Sequence, residues 1–190
     1  MTATEHKRFK AEISSNGEVR AVFSTFGVVD LGGDIVEPGA IAHGAKVAIS
    51  TWNHGSWQPG QPPIGVGTIH TTATEAILEG RFLLDTAAGR DTFAIVKAMA
   101  EMGLGEWSYS LHAIESRKRR VGNREVRSIS SVLVREVSPV MAAESLGTRT
   151  LTAKEHAELE AIRQSLDDAH EGALLIELTK YARHLMQATR

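Results

Sequence analysis

The chain has 190 residues, 42% of them hydrophobic, which suits one domain or one domain with a helical appendage. A net charge of -2 provides no basic field for nucleic acid, and the absence of cysteine excludes disulfide frameworks, thiolate zinc sites and cysteine nucleophiles. Residues 1–10 lack the apolar stretch of a secretion signal, and no window approaches the roughly 18 apolar residues of a membrane span. We therefore predict a soluble, intracellular protein with neither nucleic acid nor a membrane as a partner.

The first part of the chain is typical of β-structure. Apolar residues alternate with polar ones over Phe9–Phe26, and Asn16-Gly17 in the middle predicts a hairpin turn. The segment 27–39 is rich in Gly and Asp and is interpreted as a turn; a calcium loop is the alternative, although the spacing does not match one. Residues 38–45 are predicted to form a short helix, with proline in its first turn.

A second group of strands precedes the middle of the chain. The apolar run 47–52 predicts a buried strand that leads into Asn53-His54. Two alternating runs, 64–70 and 75–84, predict a pair of strands joined as a hairpin.

A helix and two long strands follow. Apolar residues at helical spacing predict a helix over 87–102, and Asp85-Thr86 is expected to cap its N-terminus. The runs 107–114 and 126–140 predict strands. The basic run 117–120 between them is interpreted as the solvated tip of a hairpin, with polyanion binding as the alternative.

The composition changes near residue 152, where a capping-box pattern begins. Residues 155–165 and 172–188 are predicted to be helical, and the second helix carries its leucines on one face. We predict two parts: a domain over 1–151 with about seven strands and one internal helix, and helices over 152–190. The C-terminal helices should pack on the domain or mediate dimer or scaffold contacts. The fold class is mostly β with helices, α+β.

A serine and a histidine form the candidate catalytic pair. A hydroxyl becomes a good nucleophile when a base takes its proton, and the base works best when a third group orients it. His54 ends an apolar strand and opens a loop rich in Gly and Pro, a typical place for a catalytic side chain; a structural or incidental histidine is the alternative. Ser108 lies at the head of a later strand, and Glu136 lies within the next. There is no zinc motif, Walker loop, dinucleotide fingerprint or nucleophile elbow, so neither a metal nor a cofactor is predicted.

Four segments, in chain order, resemble the HK97-type phage prohead (capsid maturation) proteases. Phe23–Gly27 with Asp30–Ala40 resembles the N-terminal signature of that family, Trp52–His54 with Pro63–Gly65 its histidine segment, Gly105–Tyr109 its serine segment, and Arg135–Val140 its closing strand. The match runs from about Phe9 to Leu151.

The resemblance implies a fold and a biological role. The family is similar to the herpesvirus assemblins, which implies a seven-stranded β-barrel surrounded by helices. It further implies a bacteriophage hydrolase of virion assembly, a serine endopeptidase that acts in the host cytoplasm inside the assembling procapsid. Its substrate would be a scaffold protein or the scaffolding segment of the major capsid protein, together with the protease itself through autoproteolysis, and it would form a homodimer. A non-catalytic scaffolding module that keeps the protease fold is the alternative.

The resemblance also assigns the reacting pair. Ser108 would be the nucleophile and His54 the general base. Ser110 is the competing nucleophile, since two residues apart on a strand both serines face the same side. Ser110 falls where relatives commonly carry glycine, which favours Ser108.

Two further assignments follow from the resemblance. Glu136 would be the third member of the triad and would orient the histidine. A surface glutamate paired with Arg135 is the alternative for the same residue. The turn Gly147-Thr148-Arg149 resembles the assemblin loop that receives the oxyanion.

Overall fold

The computed structural model describes residues 16–151, together with Ala161 and Gln164. In this part the chain forms eight strands, one α-helix and one short 3₁₀ segment. They are β1 (Glu18–Thr25), β2 (Asp34–Val36), β3 (Lys46–Ile49), the 3₁₀ segment Trp52–Trp57, β4 (Gly65–Thr71), β5 (Glu75–Phe82), α1 (Ala87–Glu101), β6 (Glu106–Val121), β7 (Arg124–Val140) and β8 (Arg149–Thr150).

The eight described strands belong to one sheet, in the order β2-β7-β3-β4-β5-β1-β8, with β6 paired to β7. The strands β2 and β3 run parallel to separate segments of β7. The hairpin β6-β7 is antiparallel over its whole length, from Glu106 opposite Val140 to Val121 opposite Arg124. This pairing brings the head of β6 beside the end of β7. The prediction that the domain is mostly β is confirmed.

The eight described strands comprise six predicted strands and two additional short ones, while the predicted strand over 9–13 lies outside the described residues. The additional short strands, β2 and β8, have three and two residues and lie in segments predicted as turns. Pairing with Arg127–Ile129 of β7 holds β2, and pairing with Ala21 and Val22 of β1 holds β8. Strands of this length have too few residues to show an alternating pattern, so tertiary pairing decides them.

Two of the three predicted hairpins are confirmed. In β4-β5, Gly65 lies opposite Phe82 and the antiparallel register continues without a shift. In β6-β7, the turn lies at Gly122-Asn123, where Gly122 has a φ of 59°. The Asn16-Gly17 turn precedes β1, but the first arm of that predicted hairpin, 9–13, lies outside the described residues.

Helix α1 confirms the predicted helical spacing and cap. The Thr86 side chain accepts a hydrogen bond from the Gly89 amide at 3.0 Å, which satisfies one of the free N–H groups of the first turn. Phe93, Val96 and Ala100 are buried on one side of the helix and join the core formed with β1–β7.

The core determines which face of β6-β7 carries the candidate site. Trp107 and Val137 lie in the core and are 1% and 0% exposed. Because successive side chains of a strand point to opposite faces, Ser108, Glu136 and Ser138 project from the other face of the sheet.

The helix predicted over 38–45 is wrong. Gly39 and Gly44 have φ values of 85° and 78°, a left-handed conformation that interrupts a right-handed helix. Between them, Ile41 forms an isolated bridge with Val132 of β7. The segment is a series of turns that passes along the sheet.

The chain divides into two compact units, Met1–Thr152 and Ala153–Arg190. The predicted C-terminal helices lie outside the described residues, except for Ala161 and Gln164, which are helical. Their predicted packing on the domain and their dimer or scaffold contacts therefore stay predictions. No helix in the described residues is long and apolar enough to cross a membrane.

Candidate active site

His54 lies in the 3₁₀ segment Trp52–Trp57, here called the histidine turn, which follows β3. Asn53 and His54 both adopt a left-handed backbone conformation, with φ values of 53° and 59°. For residues other than glycine this conformation costs about 1–3 kcal/mol each and persists only where the surroundings impose it. The structure therefore holds this histidine in a conformation that its own sequence does not favour.

Three serine hydroxyls bind the main chain of the histidine turn. The Ser138 Oγ accepts a hydrogen bond from the His54 amide and lies within donating distance of the Thr51 carbonyl oxygen, both at 2.9 Å. The Ser50 Oγ accepts from the Ser56 amide at 3.0 Å, and the Ser56 Oγ accepts from the Thr51 amide at 3.1 Å. These bonds satisfy polar groups that regular secondary structure would otherwise satisfy.

Glu136 lies beneath the histidine turn and is 4% exposed. Its Oε1 atom lies 2.7 Å from Nδ1 of His54, 3.0 Å from the Ser110 amide nitrogen and 3.5 Å from Nε1 of Trp57. Burial raises the pKa of Glu136, but the hydrogen bond and charge of His54, with the hydrogen bonds from Ser110 and Trp57, lower it by more. The net pKa lies below the ordinary value, so the carboxyl is ionised at neutral pH.

An ionised Glu136 decides how the imidazole is protonated. A carboxylate accepts hydrogen bonds only, so Nδ1 of His54 carries a proton and its N–H donates a hydrogen bond to Glu136. In the neutral ring, Nε2 is then the unprotonated nitrogen and can accept a proton. The pair therefore has the protonation pattern of a general base oriented by a carboxylate.

The alternative interpretation of Glu136, a surface residue paired with Arg135, is wrong. Arg135 is exposed and Glu136 is buried, as expected for neighbours on opposite faces of a strand. Within the described residues the two side chains form no ion pair.

The candidate serines lie on the same face as Glu136. Ser108 is directly opposite Ser138 in the β6-β7 ladder, and Ser110 is directly opposite Glu136. Directly opposed residues of an antiparallel pair share a face, so these four side chains project from the same face of the hairpin. In the described part of the chain, however, neither serine hydroxyl is hydrogen-bonded to the His54 ring.

A bulge gives Ser110 its contact with Glu136. The register shifts after Ser110, so that Leu111 lies opposite Val134 and Arg135 has no partner in β6. At this interruption the Ser110 amide donates to the Glu136 side chain. The Ser110 hydroxyl is buried and, among the described residues, lacks a hydrogen-bond partner.

Ser108 differs from Ser110 in its access to a cavity. A cavity of about 50 Å³ lies between β1, the loop that precedes β2, and the head of β6. Its lining residues are Phe23, Thr25, Val28, Asp30, Asp34, Val36, Ser108, Tyr109, Leu111, Glu144 and Ser145. Ser108 thus borders open space, whereas the Ser110 hydroxyl is enclosed.

The predicted oxyanion loop lies beside the head of β6. The Thr148 Oγ1 accepts a hydrogen bond from the Trp107 amide at 3.3 Å, one residue before the predicted nucleophile. Gly147 has a left-handed φ of 79°. Arg149 forms an ion pair with Glu75 at 3.0 Å. The role of this loop in receiving an oxyanion stays a prediction.

Within the described residues, no group of three or more His, Cys, Asp or Glu side chains is arranged to hold a metal ion. Comparison of the chain with protein-family models, with curated proteins and with solved structures finds no match.

Sequence reasoning missed two of the contacts that form the site. Trp57 donates to Glu136, although its position in a Gly/Pro-rich loop gave no sign of this contact. Ser138 did carry a signal, because a serine flanked by Val137, Pro139 and Val140 is a polar residue in an otherwise buried apolar run. Because buried hydroxyls usually have hydrogen-bond partners, this position indicates that Ser138 bonds to another part of the chain.

Proposed function

We propose that this chain is a serine endopeptidase in which His54 deprotonates Ser108 and Glu136 orients His54. The observation that carries this proposal is the 2.7 Å contact between Nδ1 of His54 and Oε1 of Glu136, two residues 82 positions apart in the chain. A buried carboxylate bonded to an imidazole beside a serine strand is the arrangement that activates a hydroxyl nucleophile.

The chemistry follows from the protonation of the pair. Nε2 of His54 takes the proton of the Ser108 hydroxyl as Oγ attacks the peptide carbonyl carbon. The imidazolium that forms is stabilised by ionised Glu136, and it returns the proton to the leaving amine. Water then attacks the acyl-enzyme with His54 as the base, which releases the second product and restores the serine.

Ser108 is the better nucleophile of the two serines. It borders the cavity of about 50 Å³, whereas the Ser110 hydroxyl is enclosed and the Ser110 amide is bonded to Glu136. A shift of the Ser108 hydroxyl towards Nε2 is required for reaction. Catalytic hydrogen bonds are often long before substrate binds, so this requirement is consistent with the role.

The biological role that we propose is that of an HK97-type prohead maturation protease with an assemblin-like barrel surrounded by helices. Its substrates would be the scaffold or the scaffolding segment of the major capsid protein, inside a procapsid in the host cytoplasm, and also the protease itself. The four motif segments support this role, and the first three flank or contain residues that line the cavity or the histidine turn. We propose a homodimer, which light scattering on chains with and without residues 172–190 would test.

Cleavage assays on matched serine variants test the proposal. Wild type, Ser108→Ala and Ser110→Ala are each incubated alone and with the cognate capsid or scaffold protein, and the fragments are identified by mass spectrometry. We expect Ser108→Ala to lose about 10³-fold or more of the cleavage rate. Ser110→Ala should retain most of it. Wild-type cleavage by Ser108→Ala would contradict the assignment of the nucleophile.

A non-catalytic assembly module is the second candidate. The observation that favours it is that neither serine hydroxyl is hydrogen-bonded to His54 in the described part of the chain. This alternative predicts that wild type cuts neither itself nor the capsid or scaffold protein, while it still co-assembles with one of them.

A further inference from the structure

The main-chain conformation of His54 requires an external constraint. Asn53 and His54 are consecutive left-handed residues, and an isolated chain seldom adopts this conformation at two successive positions that are not glycine. The space around the turn is also tight, because a Cβ atom added at Gly55 would collide with the Thr51 hydroxyl.

Ser138 supplies that constraint. Its side chain is 0% exposed, and its hydroxyl lies 2.9 Å from both the His54 amide nitrogen and the Thr51 carbonyl oxygen. One hydroxyl therefore joins the start of the histidine turn to its left-handed centre. The bonds between Ser50, Ser56 and the Thr51 amide hold the rest of the turn.

Ser138 and Glu136 both contact His54 from the same strand. Ser138 lies two residues after Glu136 on the same face of β7, and the two residues contact the main chain and the ring of His54 respectively. Two attachments about 7 Å apart on one strand fix both the location and the direction of an imidazole. A single attachment at the ring would leave the main chain free to change conformation.

We propose that Ser138 is a positioning residue: its hydroxyl holds His54 in the left-handed conformation that directs Nδ1 to Glu136. The catalytic consequence rests on the proposed function, but the effect on the histidine ring does not. Without the Ser138 hydroxyl, the turn has no bond that links the His54 amide to β7, and the ring leaves Glu136 for part of the time.

The variant Ser138→Ala, with Ser128→Ala as its control, tests this inference. Ser128 lies in the same strand, is 1% exposed and donates its hydroxyl to Glu37 at 2.5 Å, but it is ten residues away, roughly 33 Å along an extended strand. The first readout is proton NMR of the Nδ1 hydrogen that His54 shares with Glu136, a strongly downfield signal in such pairs. The second readout is the kcat and KM of cleavage.

We expect Ser138→Ala to weaken or lose the downfield signal and to lower kcat about 10- to 100-fold with little change in KM, because misplacement of a reacting group affects the chemical step. Ser128→Ala should keep the signal and the wild-type kcat. Retention of the signal by Ser138→Ala overturns the proposal. Equal loss of the signal in both variants also overturns it, since that result indicates a non-specific loss of order in the domain.

The two proposals fail separately. If wild type shows the signal but cleaves nothing, the protease function fails while the role of Ser138 in orienting the ring is still measured by NMR.

If Ser138→Ala does not fold, Ser56→Ala replaces it. Ser56 is partly exposed and contributes one acceptor to the Thr51 amide, so its loss should reduce the signal less. An unchanged signal in that variant counts against the inference.

Discussion

Strand β7 carries two contacts between a glutamate and a nitrogen donor that have the same length but different surroundings. Glu136 and His54 lie 2.7 Å apart with side chains 5% and 32% exposed, and Glu125 and Lys118 also lie 2.7 Å apart with side chains 64% and 79% exposed. The two pairs therefore differ in the burial of their side chains and not in the distance between their nitrogen and oxygen atoms. Water and salt screen the Glu125 contact, and long side chains lose entropy in forming it.

The difference arises from what covers the hairpin β6-β7. At its base, the histidine turn lies over Glu136 and contributes the His54 ring nitrogen and the Trp57 indole N–H to that carboxylate. Strand β6 contributes the Ser110 amide. At its tip, most of the basic residues 117–120 are exposed. The same hairpin therefore has a candidate active site at one end and a solvated turn at the other.

The largest expected effect distinguishes the two glutamates by activity. Glu136→Gln keeps the shape of the side chain but cannot stabilise an imidazolium, so we expect a loss of about 10³- to 10⁴-fold in kcat. Glu125→Gln should leave kcat unchanged. Steady-state cleavage kinetics of the two variants provide the comparison, and similar effects from both would show that burial does not distinguish the roles of the two glutamates.

A smaller effect concerns the partners of the two glutamates. His54→Ala leaves the buried carboxylate of Glu136 without its principal donor, which should cost about 1–3 kcal/mol of unfolding free energy at pH 7. Lys118→Ala should cause no measurable change, because its contact is at the surface. Urea unfolding at constant salt measures both, and a Lys118→Ala variant as unstable as His54→Ala would show that exposure does not decide the outcome.

The smallest effect appears in the pH dependence of stability. The pKa of Glu136 is lowered in the folded state, so the unfolded chain binds more protons than the native one as the pH falls through the ordinary value of about 4.3. The stability that ionised Glu136 provides is complete above that pH and is lost as the pH falls through the lowered pKa. Glu136→Gln should lack this component, so its unfolding free energy should approach that of wild type in acid. A constant difference from pH 7 to pH 3 would contradict the lowered pKa.

Local patterns predicted much of the fold because local interactions determine those elements. The cap and the apolar spacing that define α1 are set within a few residues, and Gly122-Asn123 forms a turn between two long strands. The helix expected over 38–45 failed for the opposite reason. Its glycines adopt left-handed conformations and Ile41 pairs with a strand more than 90 residues away.

The sequence identified the reacting residues of the candidate site but not the contacts that hold them. His54 and Glu136 were identified from motif resemblance, and the structure brings them together. The left-handed turn that makes this possible depends on Ser138, 84 residues from His54, and no pattern within the segment around His54 reveals that contact. The burial of Glu136 also depends on a turn contributed by another part of the chain, so the sequence left its pairing with Arg135 open.

Activation of Ser108 by His54 is measured most directly by the site of covalent modification by a fluorophosphonate probe. Such a probe reacts with a serine whose hydroxyl is activated by a base, and mass spectrometry of the digested protein locates the adduct. We predict an adduct on Ser108 that is absent in Ser108→Ala and strongly reduced in His54→Ala. An adduct on Ser110, no adduct in folded wild type, or undiminished labelling in His54→Ala would contradict the account.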